Sequence, residues 1–391
     1  MRRWSEMAGL LFAKPRLVDS VRQDLVASGA EGVGALDVSR ALGRKARLMG
    51  SDAVFEAAPG VSAHVLGMGP LQPFVEDPRV TDVLVNGPNR VWIDAGDGLT
   101  RVPAHFGSDD DVRALAQRLI ALGGRRVDDA QPCADVHVLG CRVHAVLPPL
   151  ASEGTLLSIR VARHEEAQLA DFLGDGVQDV YVRELLEGLV RSRRNFLVSG
   201  ATGSGKTTLL GVLLSLAGEG ERIIIVEDSA ELRPTHPHTV SLQARQANSD
   251  GRGEYTLADL VRQAMRMRPD RLVVGECRGA EVRDLLAAMN TGHVGSGGTL
   301  HANSTRAVPA RLTAMGALAG MGMEATALQA SSALDVLIHV RREGASRRIC
   351  EVATLEVKDG ELVVIPAAVL RGGTWRLEAG VDRVEALCNG S

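Results

Sequence analysis

Residues 196–214 read Phe196-Leu-Val-Ser199, then Gly200-Ala201-Thr202-Gly203-Ser204-Gly205-Lys206-Thr207, then Thr208-Leu-Leu-Gly-Val-Leu-Leu214. The central octet fits G-x-x-x-x-G-K-[ST] without a break, and its flanks give the pattern meaning. The apolar run before it reads as a short buried strand, and the leucine-rich run after it reads as a helix. A glycine-rich turn between the two lets backbone N–H groups point at phosphate oxygens, while the helix N-terminus adds positive potential. In such a loop Lys206 reaches the β- and γ-phosphates of ATP, and the Thr207 hydroxyl ligates Mg²⁺. Gly200 through Thr208 is therefore expected to hold the cofactor pair ATP and Mg²⁺. Lysine stands at only four positions, 14, 45, 206 and 358, arginine having taken nearly every other basic site. A compact ammonium suits a phosphate nest better than a planar fork does.

The bulk composition narrows the function classes. A chain of 391 residues has room for two or three domains, and 45% hydrophobic with 24% charged residues describes a soluble globular protein. A net charge of −4 creates no basic field, and 3% aromatic residues offer little for base stacking. Direct contact with nucleic acid is not expected. Five cysteines (133, 141, 277, 350, 388) are odd in number and scattered. That pattern excludes a disulfide framework or a four-cysteine zinc site and fits a reducing compartment. The apolar run from Met7 to Ala13 is cut by Lys14-Pro15, too short for a signal peptide. No stretch approaches the ~18 apolar residues of a membrane span. A cytoplasmic protein is expected, held at a membrane only by a partner.

Three regions differ in texture. Residues 1–60 show helical spacing at Leu17, Val18, Val21, Leu25 and Val26, then a Gly/Ala-rich drift to Pro59-Gly60, which reads as a helical appendage and linker. Residues 61–170 read as a small α+β domain. Val80–Asn86 and Arg90–Asp94 flank a Gly-Pro-Asn turn as a hairpin, and Asp109–Leu122 is an amphipathic helix stopped by Gly123-Gly124. Val136–Val138, Cys141–Val146 and Leu156–Arg160 alternate like half-buried strands. From 171 to 391 the rhythm becomes strand, loop, helix, strand, with continuous apolar runs at 222–226 and 271–274. That order predicts a doubly wound parallel sheet in an α/β fold, with nucleotide at the carboxyl ends of its strands.

Acidic residues follow both apolar runs: Glu227-Asp228-Ser229-Ala230-Glu231 and Gly275-Glu276. Hydrolysis of Mg²⁺·ATP needs carboxylates for metal-bound water and for the attacking water, so these strand ends are candidate catalytic positions. Polar strand ends are also common where a sheet meets solvent. His293 and His301 bracket the loop 295–298, where a histidine can sense the γ-phosphate or bond a catalytic carboxylate.

In order, Gly200–Thr207, Ile225–Leu232, Arg266–Gly279 and Met289–Ser304 resemble the Walker A, Asp, Walker B and His boxes of the type II/type IV secretion ATPases. The resemblance is nearest to the TadA/CpaF-like branch that assembles tight-adherence pili, and it extends upstream through Gly140–Pro149 and Ser158–Arg160. It implies a RecA-like P-loop domain behind an α+β domain, assembled as a homohexamer on an integral membrane platform protein. It further implies Glu231 as general base or water-positioner and Glu276 as the Walker B carboxylate near Mg²⁺. His293 and His301 fall in the His box. Arg142 and Arg160, and more weakly Arg194 and Arg278, match arginines that complete the nucleotide site. Gly275 stands where most P-loop enzymes carry aspartate, Val294 replaces an expected acidic residue, and Cys277 is unusual at its position. The conjugation branch, whose motors handle DNA, is the alternative reading.

Overall fold

Period-two alternation of buried valine and isoleucine with polar residues builds the first sheet. In the computed structural model, residues 15–27, 34–49, 51–96, 98–161, 167–245, 247, 252–344 and 346–389 are described. They form two compact units that part between residues 163 and 164. In the first unit lie Asp82–Asn86 (β1), Val91–Asp94 (β2), Leu99–Val102 (β3), Cys133–Val138 (β4), Cys141–Val146 (β5) and Leu156–Val161 (β6). They form an antiparallel sheet in the order β3-β2-β1-β6-β5-β4. Val83, Ile93, Val143 and Ile159 on one face pack with Val112, Leu115, Leu119 and Ile120 of the helix Asp109–Leu122. Ser108 caps that helix by accepting from the Asp111 N–H at 3.3 Å.

Ahead of this sheet come the helices Pro15–Ala27, Ala35–Met49 and Ser51–Val65, which share a small core of Leu17, Val21, Leu25, Val38, Leu42 and Val61. Of the Gly/Ala-rich drift expected as linker, residues 35–49 and 51–60 are thus helical, with Pro59 inside the third helix, while residues 28–33 and 50 lie outside the described residues. Alanine is the best helix former, so an alanine-rich stretch follows whatever apolar contact is offered to it. A few valines supplied that contact here.

The second unit holds Phe196–Gly200 (β7), Ile223–Glu227 (β8), Thr239–Gln243 (β9), Arg271–Cys277 (β10), Gly297–His301 (β11), Val336–Glu343 (β12), Ser346–Lys358 (β13), Glu361–Arg371 (β14) and Thr374–Leu377 (β15). Their order is β15-β14-β13-β12-β7-β11-β10-β8-β9. From β12 to β9 all pairs are parallel, whereas β13, β14 and β15 add antiparallel strands beyond β12. The sheet is therefore mixed rather than wholly parallel. Alternate residues feed opposite faces. Val198, Ile223, Ile225 and Val273 meet the helices Val177–Arg191 and Lys206–Ser215. Leu197, Ile224, Val226, Leu272 and Val274 meet Leu257–Ala264, Glu281–Asn290, Val308–Leu318 and Met323–Ala333. Burial on both faces explains the unbroken apolar runs. β7 sits between β12 and β11, so its carboxyl end opens where neighbours from either side converge.

Candidate active site

The chain leaves β7 at Gly200, turns through 201–205 and enters the next helix at Lys206. Gly205 closes the turn with φ +95°, a backbone region that residues with a Cβ rarely enter. Lys206 is 6% exposed. Its Nζ donates to the Ala201 carbonyl at 2.9 Å and lies 3.3 Å from His301 Nδ1. An ammonium only donates, so Nδ1 of His301 accepts and its proton sits on Nε2. That Nε2 is 2.8 Å from Glu276 Oε1, making the imidazole a neutral bridge from lysine to carboxylate. Burial, then the Lys206 charge, holds the His301 pKa below its ordinary value. Burial likewise lowers the Lys206 pKa, against the opposing pull of the Glu276 carboxylate.

The second oxygen of Glu276 accepts from Arg278 Nη2 at 2.7 Å, and Arg278 Nη1 is 3.8 Å from Asp228 Oδ2. Lys206, His301, Glu276, Arg278 and Asp228 thus form one polar chain across the carboxyl ends of β7, β11, β10 and β8. Beneath it lies the acidic residue that ends β8. Glu227 at the end of β8 is 4% exposed, and its Oε1 accepts the N–H groups of Glu231 at 3.2 Å and Leu232 at 3.0 Å. Its Oε2 is buried without a hydrogen-bond partner, and burial pushes the pKa up to about 7. Glu231 itself is exposed, on the short turn that Glu227 anchors.

A Cβ placed on Gly275 would fall 2.5 Å from Glu227 Cγ and 2.9 Å from its Oε1. The missing Walker B aspartate is therefore accounted for by space that the Glu227 side chain occupies. Cys277, the other unusual residue, points into the core, where burial pushes its thiol up.

The remaining candidates divide. Ser204 is buried, while Ala201, Thr202 and Gly203 are exposed on the loop and Thr207 and Thr208 half-exposed on the first helical turn. The structure does not bring His293 to the loop. It follows the helix Glu281–Asn290 and precedes β11, with Nδ1 3.2 Å from the Ala288 carbonyl. That is the amino end of the parallel strands, roughly 15 Å of strand away from the phosphate loop. Arg194, one residue before Asn195 at that same end, donates Nε to the Leu387 carbonyl at 2.9 Å. Arg142 and Arg160 belong to the first unit, directly opposite one another on β5 and β6. Arg142 Nε is 3.1 Å from both oxygens of Asp135, and Arg160 Nε is 3.1 Å from Asp82 Oδ1.

For Mg²⁺ the chemistry is permissive. The ion keeps several waters and binds through nucleotide phosphates with one or two protein oxygens; Thr207 and Glu276 offer that set. Among the described residues no three His, Cys, Asp or Glu side chains gather as a dedicated cage.

A sheet whose parallel portion carries a phosphate loop behind β7, and carboxylates at the ends of neighbouring strands, defines a RecA-like P-loop ATPase. The chain belongs to the family described as Type II/IV secretion system protein, whose profile matches residues 65–365. It is 47% identical over 343 residues to a putative conjugal transfer protein of Mycobacterium tuberculosis, covering 86% of this chain and 96% of that one. It is 30% identical over 288 residues to the conjugal transfer protein TrbB of Rhizobium radiobacter, covering 72% and 85%. The fold is shared with the Legionella pneumophila ATPase DotB at a TM-score of 0.52 and 17% identity, over 82% of this chain and 85% of that one.

Proposed function

We propose that this secretion-type ATPase works as a homohexamer on the inner face of a membrane, turning ATP hydrolysis into work on an integral platform protein of a pilus or secretion apparatus. The observation that carries the reading is the polar chain from Lys206 through His301 to Glu276 and Arg278. It joins three of the four motifs at one strand end, so that a change at the phosphates reaches the carboxylates through a single imidazole. Gly200–Thr208 cradle the phosphates, and Lys206 exchanges the Ala201 carbonyl for phosphate oxygens. Thr207 and, through water, Glu276 would hold Mg²⁺, which would supply charge neutralisation at the triphosphate. Glu231 orients the attacking water and accepts its proton. His301 holds Glu276 in register.

Three variants test the assignment. Lys206→Ala loses nucleotide binding and turnover together. Glu276→Gln and Glu231→Gln keep ATP affinity within a few-fold and lose about 10²–10⁴ in kcat, the range of a removed acid–base or metal-positioning group. Near-normal kcat in both glutamine variants would refute it.

The names of the mycobacterial and rhizobial relatives favour a transfer apparatus of the conjugation type as a second reading. The net charge of −4 and the scarcity of aromatics argue that even there the motor acts on protein partners. Retention on a DNA column that falls steeply with salt would instead indicate direct DNA contact. No helix among the described residues is long and apolar enough to cross a membrane, so a platform partner is what brings the ATPase to one. Co-expression with a cognate platform protein moves it to the membrane fraction; tight membrane association without any partner contradicts this.

A further inference from the structure

The four boxes omit the strand on the other side of the phosphate loop. β12 runs parallel to β7 with Ser199 opposite His339, but β12 continues to Glu343 while β7 ends at Gly200. The overshoot passes directly behind the loop, where a Cβ on Gly200 would fall 2.4 Å from the Val340 carbonyl. The hairpin then reverses, pairing Arg342 with Arg347 at the start of β13. All four of its arginines are engaged. Arg341 Nη2 is 2.9 Å from Glu343, Arg342 Nε donates to the Gly344 carbonyl at 2.9 Å, and Arg348 Nη2 is 3.8 Å from Asp179. The half-buried Arg347 lies across the loop. Its Cδ is 2.6 Å, and its Cγ 3.4 Å, from where a Cβ on Gly205 would be. Its Nη1 reaches to 3.5 Å from Thr208 Oγ1 in the first helical turn.

Sheet order separates this cation from the chemistry. Lys206 leans toward β11 and β10, where His301 and Glu276 stand, and Glu231 follows β8 beyond them. Arg347 approaches from β12 and β13, on the opposite flank of β7. A triphosphate whose γ end faces the carboxylates leaves the loop on the Arg347 side, with its α-phosphate and ribose leading. We propose that Arg347 is a nucleotide-binding residue of this site, its guanidinium taking an α-phosphate oxygen of ADP or ATP beside the Thr208 hydroxyl. The inference rests on the ATPase reading of the loop. It adds a contact that binds substrate and product alike, and so sets affinity rather than rate.

The test is the affinity for ADP and ATP of Arg347→Met, which keeps the aliphatic stem over Gly205 and removes the charge, and of Arg347→Lys. Loss of a charge-assisted, fork-shaped contact to phosphate predicts an ADP Kd raised about tenfold or more in Arg347→Met, with ATP weakened by the same factor. KM rises in parallel, kcat at saturating ATP stays within about twofold, and Arg347→Lys recovers part of the affinity. The melting temperature without nucleotide stays at the wild-type value, while the upward shift on adding ADP shrinks. An ADP Kd within twofold of wild type, or a loss confined to kcat, overturns the proposal. Wild-type protein that binds no ADP, indistinguishable from Lys206→Ala, overturns the ATPase reading instead.

Discussion

Glu227 and Gly275 show how one residue's chemistry is written at another's position. Glu227 occupies the space where a residue-275 side chain would start, and from there holds the turn that carries Glu231. Gly275→Asp, which restores the commoner Walker B residue, sets its Cβ 2.5 Å from Glu227 Cγ. The overpacking is expected to cost about 1–3 kcal/mol and to lower kcat. Glu227→Ala vacates the space, so a double-mutant cycle measured by urea unfolding should show coupling of at least about 1 kcal/mol. Additive effects would mean that the two positions do not compete. Glu227 also makes a pH prediction. Its pKa is raised by burial from the ordinary 4.5 to about 7, so the folded state keeps a proton that the unfolded chain has released. Its contribution therefore favours folding at low pH and is lost as pH climbs through about 7. Glu227→Gln retains the acceptor for the two N–H groups without the charge. It should stabilise the protein by up to about 3 kcal/mol at pH 8 and by little at pH 4.5. A Tm difference between wild type and variant that does not grow with pH would count against a buried, protonated Glu227.

The same contrast holds for whole elements. The strands around the phosphate loop were legible because burial on both faces leaves continuous apolar runs such as Ile223–Val226, and because a loop between strand and helix carries its own glycine signature. The helix Asp109–Leu122 was legible through its acidic first turn and its glycine stop. By contrast, β12–β15 and the hairpin holding Arg347 left no signal of function, since their relation to the loop depends on β12 pairing with a strand about 140 residues earlier. His293 was misread for a related reason: neighbours of His301 along the chain lie at opposite ends of β11. What keeps the antiparallel extension in place is Trp375 of β15, 2% exposed, whose indole N–H donates to Asp179 at 3.0 Å. The same carboxylate accepts from the Gly174 and Gly176 N–H groups at 2.9 and 3.1 Å. Trp375→Ala should cost about 3–5 kcal/mol as a large core cavity opens. Trp375→Phe, which removes one donor from Asp179, should cost about 1–2 kcal/mol. Denaturant midpoints for the two variants decide the matter, and equal losses would mean that the hydrogen bond, not packing, holds β15.

At the scale of the whole molecule, the proposed homohexamer makes a prediction about two arginines of the first unit. Arg142 and Arg160 stand side by side on β5 and β6, each held by an aspartate and each substantially exposed, at 41% and 60%. Ion pairs this open contribute roughly 0–1 kcal/mol, so releasing either guanidinium toward phosphate requires little energy. Two arginines on directly opposed strand positions repel each other unless anions sit between or beside them. Asp135 and Asp82 meet that need; if the proposed ring forms, a γ-phosphate, whose charge is spread over several oxygens that suit a guanidinium fork, would meet it instead. Such fingers raise rates by about 10³–10⁵. If neighbouring subunits supply them, specific ATPase activity rises with protein concentration as rings assemble. Arg142→Ala or Arg160→Ala then depresses kcat strongly while melting temperature changes little, as expected for exposed residues. Sedimentation and phosphate release measured on the same dilution series provide the check. Full activity per subunit in a sample that sediments as monomer would show that each chain completes its site alone.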